Sequence, residues 1–228
     1  MMKRIFEILL IYIPAVFLAI SSSMVLIYKW IPVKWTPLML VRYVENCDQV
    51  GYRNIQHWID IEDVSPNLIE AIILAEDQRF YTHNGFDLAE LSRMKKDYDY
   101  YGKNLRGCST ISQQVAKNCF TFGSRTVLRK SVEAYYTALI ELFWSKERIL
   151  EVYLNIAETG RGLFGVEAAC NRYFSCSSSD ISISDAAALA CVLPKPLART
   201  PALVLTSHAN KHSKIAQQVG RNLSLNKQ

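Results

Sequence analysis

Apolar residues follow two regimes along this chain. From Ile8 to Tyr28 they form an uncharged, largely apolar run of 21 residues, enough at helical rise to cross roughly 30 Å of hydrocarbon. Further on they recur every three or four positions, the spacing of amphipathic helices. Ser65 and Pro66 pair an N-cap with a first-turn proline and open a helix whose inward face carries Leu68, Ile69, Ile72 and Ala75. Glu76 falls on that face, four residues after Ile72. Thr110 and Gln113 have capping-box spacing and start a second helix, on which Gln113 and Lys117 share a side. Leu128 to Phe143 predicts a third helix, and Ser145 caps a fourth running through Ile149, Val152 and Tyr153 toward Asn155. Gly160, Gly162 and Gly165 interrupt the pattern before a helix from Val166 to Tyr173. Ser184 is expected to cap a helix from Asp185 to Leu193, which Pro194 and Pro196 end. No series of alternating strands stands out, so the expected fold class is mainly α.

The long apolar run assigns the compartment. Lys3 and Arg4 precede it, and the excess of positive charge predicts a cytoplasmic N-terminus over 1–7, a transmembrane signal anchor over 8–28 and an exported body over 29–228. A cleaved signal peptide is the competing reading, with Ser21 to Ser23 as the small-residue site. Apolar sequence resumes at Met24 to Tyr28, whereas a signal peptide's apolar region spans about 7–15 residues, which favours the uncleaved anchor. Tyr28, Lys29 and Trp30 then form an interfacial belt. The body of ~200 residues fits one domain, without internal repeat or low-complexity linker.

Charge and composition narrow the function. The net charge is +5, and setting aside Lys3, Arg4, Lys29 and Glu7 leaves 23 basic against 20 acidic residues. That mild excess argues against nucleic-acid binding and allows a local cationic site. Six cysteines, Cys47, Cys108, Cys119, Cys170, Cys176 and Cys191, match neither a small disulfide-stapled module nor a paired zinc pattern, and most read as buried apolar residues. His208 and His212 stand four apart on an expected C-terminal helix, with no third ligand following.

Two glutamates carry the candidate chemistry. A carboxylate on the apolar stripe of a helix, at its C-terminal end, is desolvated and faces the negative end of the helix dipole. Both effects raise its pKa and make Glu76 a candidate general base. The plain alternative is a solvated helix-end glutamate, against which stand Asp77, Arg79 and His83 crowded onto the same turn beside Phe80 and Tyr81. Glu133 lies on one helical line with Tyr136, Ile140 and Trp144, one turn after Arg129. Alone, that spacing describes an ion pair worth about 0.3–0.5 kcal/mol. Gln113, Gln114, Lys117, Arg129 and Lys130 add a concentration of potential phosphate ligands, lysine as a point charge and arginine as a bidentate fork.

Five blocks in order, Glu76 to Gly85, Gly107 to Asn118, Arg129 to Glu133, Ser145 to Glu158 and Gly162 to Ala169, closely resemble the peptidoglycan glycosyltransferases. These are the glycosyltransferase domains of class A penicillin-binding proteins and their single-domain relatives, the monofunctional biosynthetic peptidoglycan transglycosylases. The resemblance covers about residues 60 to 201. The chain length and the Ser-Thr-Ile-Ser-Gln-Gln wording of 109–114 look like the monofunctional branch. It implies a lysozyme-like helical lobe, a smaller membrane-facing lobe, and processive polymerisation of lipid II into β-1,4-linked glycan with release of polyprenyl pyrophosphate. By motif, Glu76 would deprotonate the acceptor 4-hydroxyl and Glu133 would assist at the donor. Lys117 and Arg129 would stabilise the departing pyrophosphate. Ser109, Thr110, Gln113, Gln114, Asn118 and Lys130 would shape that site, while Asp77, Phe80 and His83 would support the base; Lys103 and Arg106 are weaker phosphate candidates.

The resemblance further implies lipid II, the lipid-linked glycan chain and the membrane as partners, with wall-synthesis or division proteins as further candidates and no nucleic acid. It places the enzyme in the bacterial cytoplasmic membrane with its catalytic domain on the periplasmic or extracellular side. No cofactor is certain; a divalent cation such as Mg arriving with the pyrophosphate stays open. Two positions depart from the common pattern, Cys108 before Ser109-Thr110 and Phe174-Ser175-Cys176 where Phe-Gly-Lys is usual. Asp87 to Arg106 is the least family-like stretch; Tyr98, Tyr100 and Tyr101 beside Lys95 and Lys96 suit a membrane interface or a solvated loop equally. A lytic, lysozyme-like enzyme is the rival reading, and the Lys117 and Arg129 cluster speaks against it, because an uncharged glycan has no pyrophosphate to bind. A catalytically dead scaffold is weakened by the presence of every acidic and basic motif residue.

Overall fold

The computed structural model describes residues 2–102, 109–122 and 126–225, with the side chains of 2–9 and 101 excepted. Lys103, Arg106 and Cys108 therefore lie outside the described residues, as do the side chains of Lys3, Arg4 and Tyr101. Eleven helices and three short strands make up the described part, in keeping with the mainly α expectation.

The apolar run becomes α1, Met2–Trp30, with Pro14 inside it. Its span from Leu10 to Trp30 has a mean hydropathy of 2.3, long and apolar enough to cross a membrane. Side chains from Leu10 to Ile20 are largely exposed, whereas Ser21 and Val25 are fully buried. The catalytic body is what buries them. Ser21 Oγ and Tyr135 Oη are 2.6 Å apart, and Trp144 Nε1 donates to the Val25 carbonyl at 2.8 Å. Arg148 donates to the Tyr28 carbonyl at 2.7 Å and to the Ile31 carbonyl at 2.8 Å, capping the helix C-terminus where carbonyls lack intrahelical partners.

Thr36 and Pro37 open α2, Pro37–Asn46. Ser65 accepts from the Asn67 N–H and starts α3, Pro66–Glu76, with Leu68, Ala71, Ile72 and Ile73 buried. The stretch from Asp87 is a helix, α4, Leu88–Tyr101, which corrects the loop alternative; Tyr98 and Tyr100 on it are exposed. The Thr110–Gln113 capping box forms and starts α5, Ile111–Phe120. Then come α6, Val127–Phe143, and α7, Lys146–Ile156, capped by Ser145 as expected. α8 spans Val166–Phe174.

The next cap differs from expectation. Ser182, not Ser184, accepts from the Asp185 N–H and opens α9, Ile183–Val192. Ser182 places the acidic Asp185 at the third helical position, where its carboxylate also accepts from the Ser182 hydroxyl at 2.7 Å. α10, Pro201–Ser207, and α11, Ala209–Leu225, complete the chain. His208 falls at their junction rather than on the helix that carries His212.

The core joins two packed groups. α9, buried continuously from Ala186 to Val192, lies against α3, α10 and α11. α5 packs between α6 and α7 and also touches α2. A small sheet ties the groups to the N-terminal segment: β1 (Ile55–Gln56) runs parallel to β3 (Leu163–Phe164), which pairs antiparallel with β2 (Glu158–Gly160). Strands of two or three residues carry no readable alternation, which explains why the sequence pattern missed them. Asn155, fully buried, accepts from the Ile59 N–H and donates to the Ile59 carbonyl, both at 2.8 Å, clamping that segment onto α7. Gly165 lies in the left-handed region at φ +80°, where an added Cβ would stand 2.7 Å from the Asn155 carbonyl oxygen. Of the described cysteines, Cys119, Cys170 and Cys191 are buried free thiols, Cys176 is half-buried and Cys47 is exposed.

Candidate active site

Glu76 ends α3, and the apolar burial of that helix carries it off the surface. Gln114 Nε2 donates to Glu76 Oε2 at 2.7 Å, while Oε1 is buried with no partner among the described residues. Burial is the largest influence on the carboxyl and raises its pKa; the Gln114 bond, Lys211 and Lys117 pull it back, in that order. Lys211 comes from α11 and has no place in the five sequence blocks. Its contribution follows from α11 packing on α3, a long-range pairing that no local spacing reveals.

The residues after Glu76 hold it against α5. Asp77 is buried, and its Oδ2 accepts from the Ile111 N–H at 3.0 Å, an anion on the first turn of α5. His83 Nε2 stands 3.0 Å from both carboxylate oxygens of Asp77, so its N–H donates there. Phe80 is fully buried between these groups and the Lys146 ammonium, 4.7 Å from its ring centroid. Thr110 Oγ1 donates to the Gly85 carbonyl at 2.6 Å. Gly85, at φ +84°, sits so close to α6 that an added Cβ would meet Thr137 Cγ2 at 2.8 Å. The run from Glu76 to Gly85 is thus one device: it presents a carboxylate and fastens its own two ends to α5 and α6.

Glu133 lies inside α6 and is 2% exposed. Arg129 donates to its Oε2 at 2.8 Å from one turn earlier, and Lys130 pairs with Oε1. The ion pair expected from spacing is present, in a buried setting where it fixes two cations at one carboxylate. Lys117 projects from α5 into the same region. Its chain keeps solvent contact, as befits an open cleft, while protein crowded around the charged end lowers its pKa by desolvation; Glu133 opposes that shift and Arg129 adds to it. Lys117 also acts on Glu76, so both glutamates lie within its field.

The remaining sequence candidates divide. Gln114 is drawn to Glu76, away from the phosphate cluster in which the sequence grouped it. Gln113 is buried, its Oε1 accepting from the Thr110 N–H at 3.0 Å, so its carbonyl serves the helix cap. Thr110 is likewise buried in that cap. Asn118 is buried with Oδ1 unpartnered among the described residues, and Ser109 is exposed at the mouth of α5. Among the described residues no group of three metal-ligating side chains comes together.

A helical body that brings a desolvated carboxylate and a cation cluster together along α5 suits transfer from an anionic leaving group. Comparison with known proteins agrees. The transglycosylase family profile matches residues 44–223. A biosynthetic peptidoglycan transglycosylase of Pseudomonas entomophila is 44% identical over 208 residues, covering 90% of this chain and 88% of the relative. Proteins of the same name from Bdellovibrio bacteriovorus (43% identical, 79% of this chain and 72% of the relative) and Haemophilus influenzae (45%, 77% and 72%) extend the likeness. With a profile covering most of its length and relatives far above chance identity, the chain belongs to the transglycosylase family.

Proposed function

We propose that this chain is a membrane-anchored peptidoglycan glycosyltransferase that polymerises lipid II into β-1,4-linked glycan. The observation that carries the reading is the joining of two unlike carboxylates by α5: Gln114 binds Glu76, whose other oxygen has no partner among the described residues, and Lys117, one turn on, adds to the Arg129 and Lys130 cations held at Glu133. The incoming lipid II offers its 4-hydroxyl, and Glu76 takes that proton as the oxygen attacks the donor's anomeric carbon. The new C–O bond forms with inversion as the bond to the polyprenyl pyrophosphate breaks. Negative charge then develops on the pyrophosphate, where Lys117 and Arg129 stabilise it. Glu133 holds Arg129 and Lys130 in place for that step. Gln114 orients Glu76, Asp77, His83 and Phe80 keep it against α5, Thr110 and Gln113 set the start of α5 through the capping box, and Ser109 and Asn118 belong to the donor side of the site.

The anchor fits the same scheme. Residues 1–7 lie in the cytoplasm, α1 crosses the cytoplasmic membrane, and the body works on the periplasmic or extracellular side, where its lipid-linked donor and acceptor stay in the bilayer. Burial of Ser21 and Val25 by the body supports retention of the helix over cleavage after Ser23. A divalent cation such as Mg enters, if at all, as part of the substrate's pyrophosphate. Wall-synthesis or division proteins are further partners of the anchored form. The test is incubation with labelled lipid II in bilayers and, separately, with finished glycan. Polymer from the first supports the reading; soluble fragments from the second with no polymer from the first establish the lytic alternative.

A further inference from the structure

A second buried carboxylate acts on the cation cluster, Glu158, the last residue of the fourth sequence block and one to which the motifs assign no role. Glu158 opens β2 and is 9% exposed. Arg42 of α2 grips it as a fork, Nε donating to Oε1 at 2.8 Å and Nη2 to Oε2 at 3.0 Å, with Nη1 donating to Glu45 at 2.8 Å. A second link reinforces the first: Asn46 donates to the Arg42 carbonyl at 2.7 Å and accepts from Arg161 Nη2 at 2.7 Å. α2 therefore joins the end of the anchor to the β2–β3 turn, and it packs on α5, the helix that carries Lys117. Glu158 acts on Lys117 in the same sense as Glu133, and more weakly.

We propose that Arg42 is a positioning residue for the donor pyrophosphate site, cancelling the charge of Glu158 so that Lys117 stays available to the substrate. The inference rests on the glycosyltransferase reading. Arg42 answers Glu158, so the cations Lys117, Arg129 and Lys130 have Glu133 as the buried carboxylate of their own cluster and the site stays positive toward a pyrophosphate. Without Arg42 a bare buried carboxylate remains beside Lys117, and a desolvated carboxylate seeks the nearest cation. Lys117 then turns from the donor toward Glu158. Arginine suits the task because it offers a planar bidentate fork and stays charged when partly buried. Since α2 follows the anchor, the pair also sets the α5 cation cluster relative to the membrane end of the body.

The sign pattern of three variants tests this. Full-length Arg42→Gln, Glu158→Gln and the double variant are compared for binding of a non-reactive polyprenyl pyrophosphate analogue in bilayers and for the KM and kcat of lipid II polymerisation. Arg42→Gln should weaken analogue binding and raise KM by about fivefold, with the deficit shrinking at high salt. Glu158→Gln should bind as tightly as wild type or tighter. The double variant should return to within about twofold of wild type, because the charge left for the donor is again that of the native site. A merely structural pair would instead make both single variants lose stability and leave binding per folded molecule unchanged, which would overturn the proposal. Failure of wild type to prefer the analogue over an uncharged polyprenol sinks the glycosyltransferase reading itself, an outcome distinct from equal binding by wild type and Arg42→Gln.

Discussion

Glu76 and Glu133 share a residue type, a helical setting and withdrawal from solvent, yet their surroundings leave them opposite kinds of work. Around Glu76 the protein supplies one neutral donor, Gln114, and leaves Oε1 without a partner among the described residues. Around Glu133 it supplies two cations, one to each oxygen. Desolvation without a full counter-charge pushes the Glu76 carboxyl toward proton uptake, whereas two direct ion pairs make the Glu133 carboxylate a brace for Arg129 and Lys130. Burial alone does not make a base; burial with an unfilled lone pair does. Spacing already hinted at the difference, since the partners of Glu133 lie three and four residues away on its own helix, whereas the Gln114 donor to Glu76 comes from another element.

The largest effect that sharpens this contrast is expected at Glu76. Glu76→Gln preserves shape and the bond from Gln114 but cannot take the acceptor proton, so lipid II chain growth should fall by about 100-fold or more while binding of the pyrophospholipid analogue persists. Elongation at the wild-type rate would remove Glu76 as the base. Glu133→Gln loosens Arg129 and Lys130 without touching proton transfer. Turnover should drop by roughly tenfold, with analogue binding kept or tightened because the cluster gains positive charge. A Glu133 variant as dead as Glu76→Gln would break the contrast.

Next in size are the cations. Lys117→Ala should lower turnover on the order of 100-fold with little change in Tm, because its chain is solvent-accessible and it makes no contact ion pair among the described residues. Arg129→Ala should reduce turnover similarly and also lower Tm, since it strips one of two direct partners from a 2% exposed carboxylate. Thermal unfolding measured beside chain growth separates the two: equal loss of Tm in both variants would mean that Lys117 too is structural.

Asp77→Asn is a smaller perturbation, aimed at what holds Glu76 rather than at Glu76. It weakens the anion at the start of α5 and the His83 contact, with an expected loss of about 1–3 kcal/mol in stability and a turnover deficit that grows as Glu76 shifts from Gln114. Unchanged unfolding together with unchanged turnover would show that α5 needs no such tie.

How much of this was legible in the sequence depends on range. Caps and helix starts at Ser65, Thr110 and Ser145 could be read because a helix N-terminus is satisfied by residues three positions away. Ser182 was missed for Ser184 because two serines offered the same local chemistry and only the position of Asp185 separates them. The motif residues were legible as a set, but their division of labour was not. Gln114 on Glu76, Lys211 near the base and Arg42 on Glu158 all rest on contacts between elements far apart in the chain. The anchor was legible as an apolar run, while its grip by Trp144 and Arg148 was not, since neither residue announces a backbone carbonyl as its partner.

The smallest expected effect concerns stability and pH, and it isolates burial from catalysis. Desolvation raises the Glu76 pKa above its unfolded value, so the fold favours the protonated form. That stabilisation is complete below the ordinary carboxylate range and is lost as pH rises through the raised pKa. Above that raised pKa the wild-type fold carries a buried, ionised carboxylate that Glu76→Gln does not. The variant should match wild type in acid and become the more stable of the two as pH rises through the raised pKa. For a chain of this size each kcal/mol moves Tm by about 2–4 °C, so even a modest relief is measurable by calorimetry at two pH values. A stability difference that does not change with pH would mean that Lys117 and Lys211 fully compensate the buried charge and that the contrast with Glu133 is one of geometry alone.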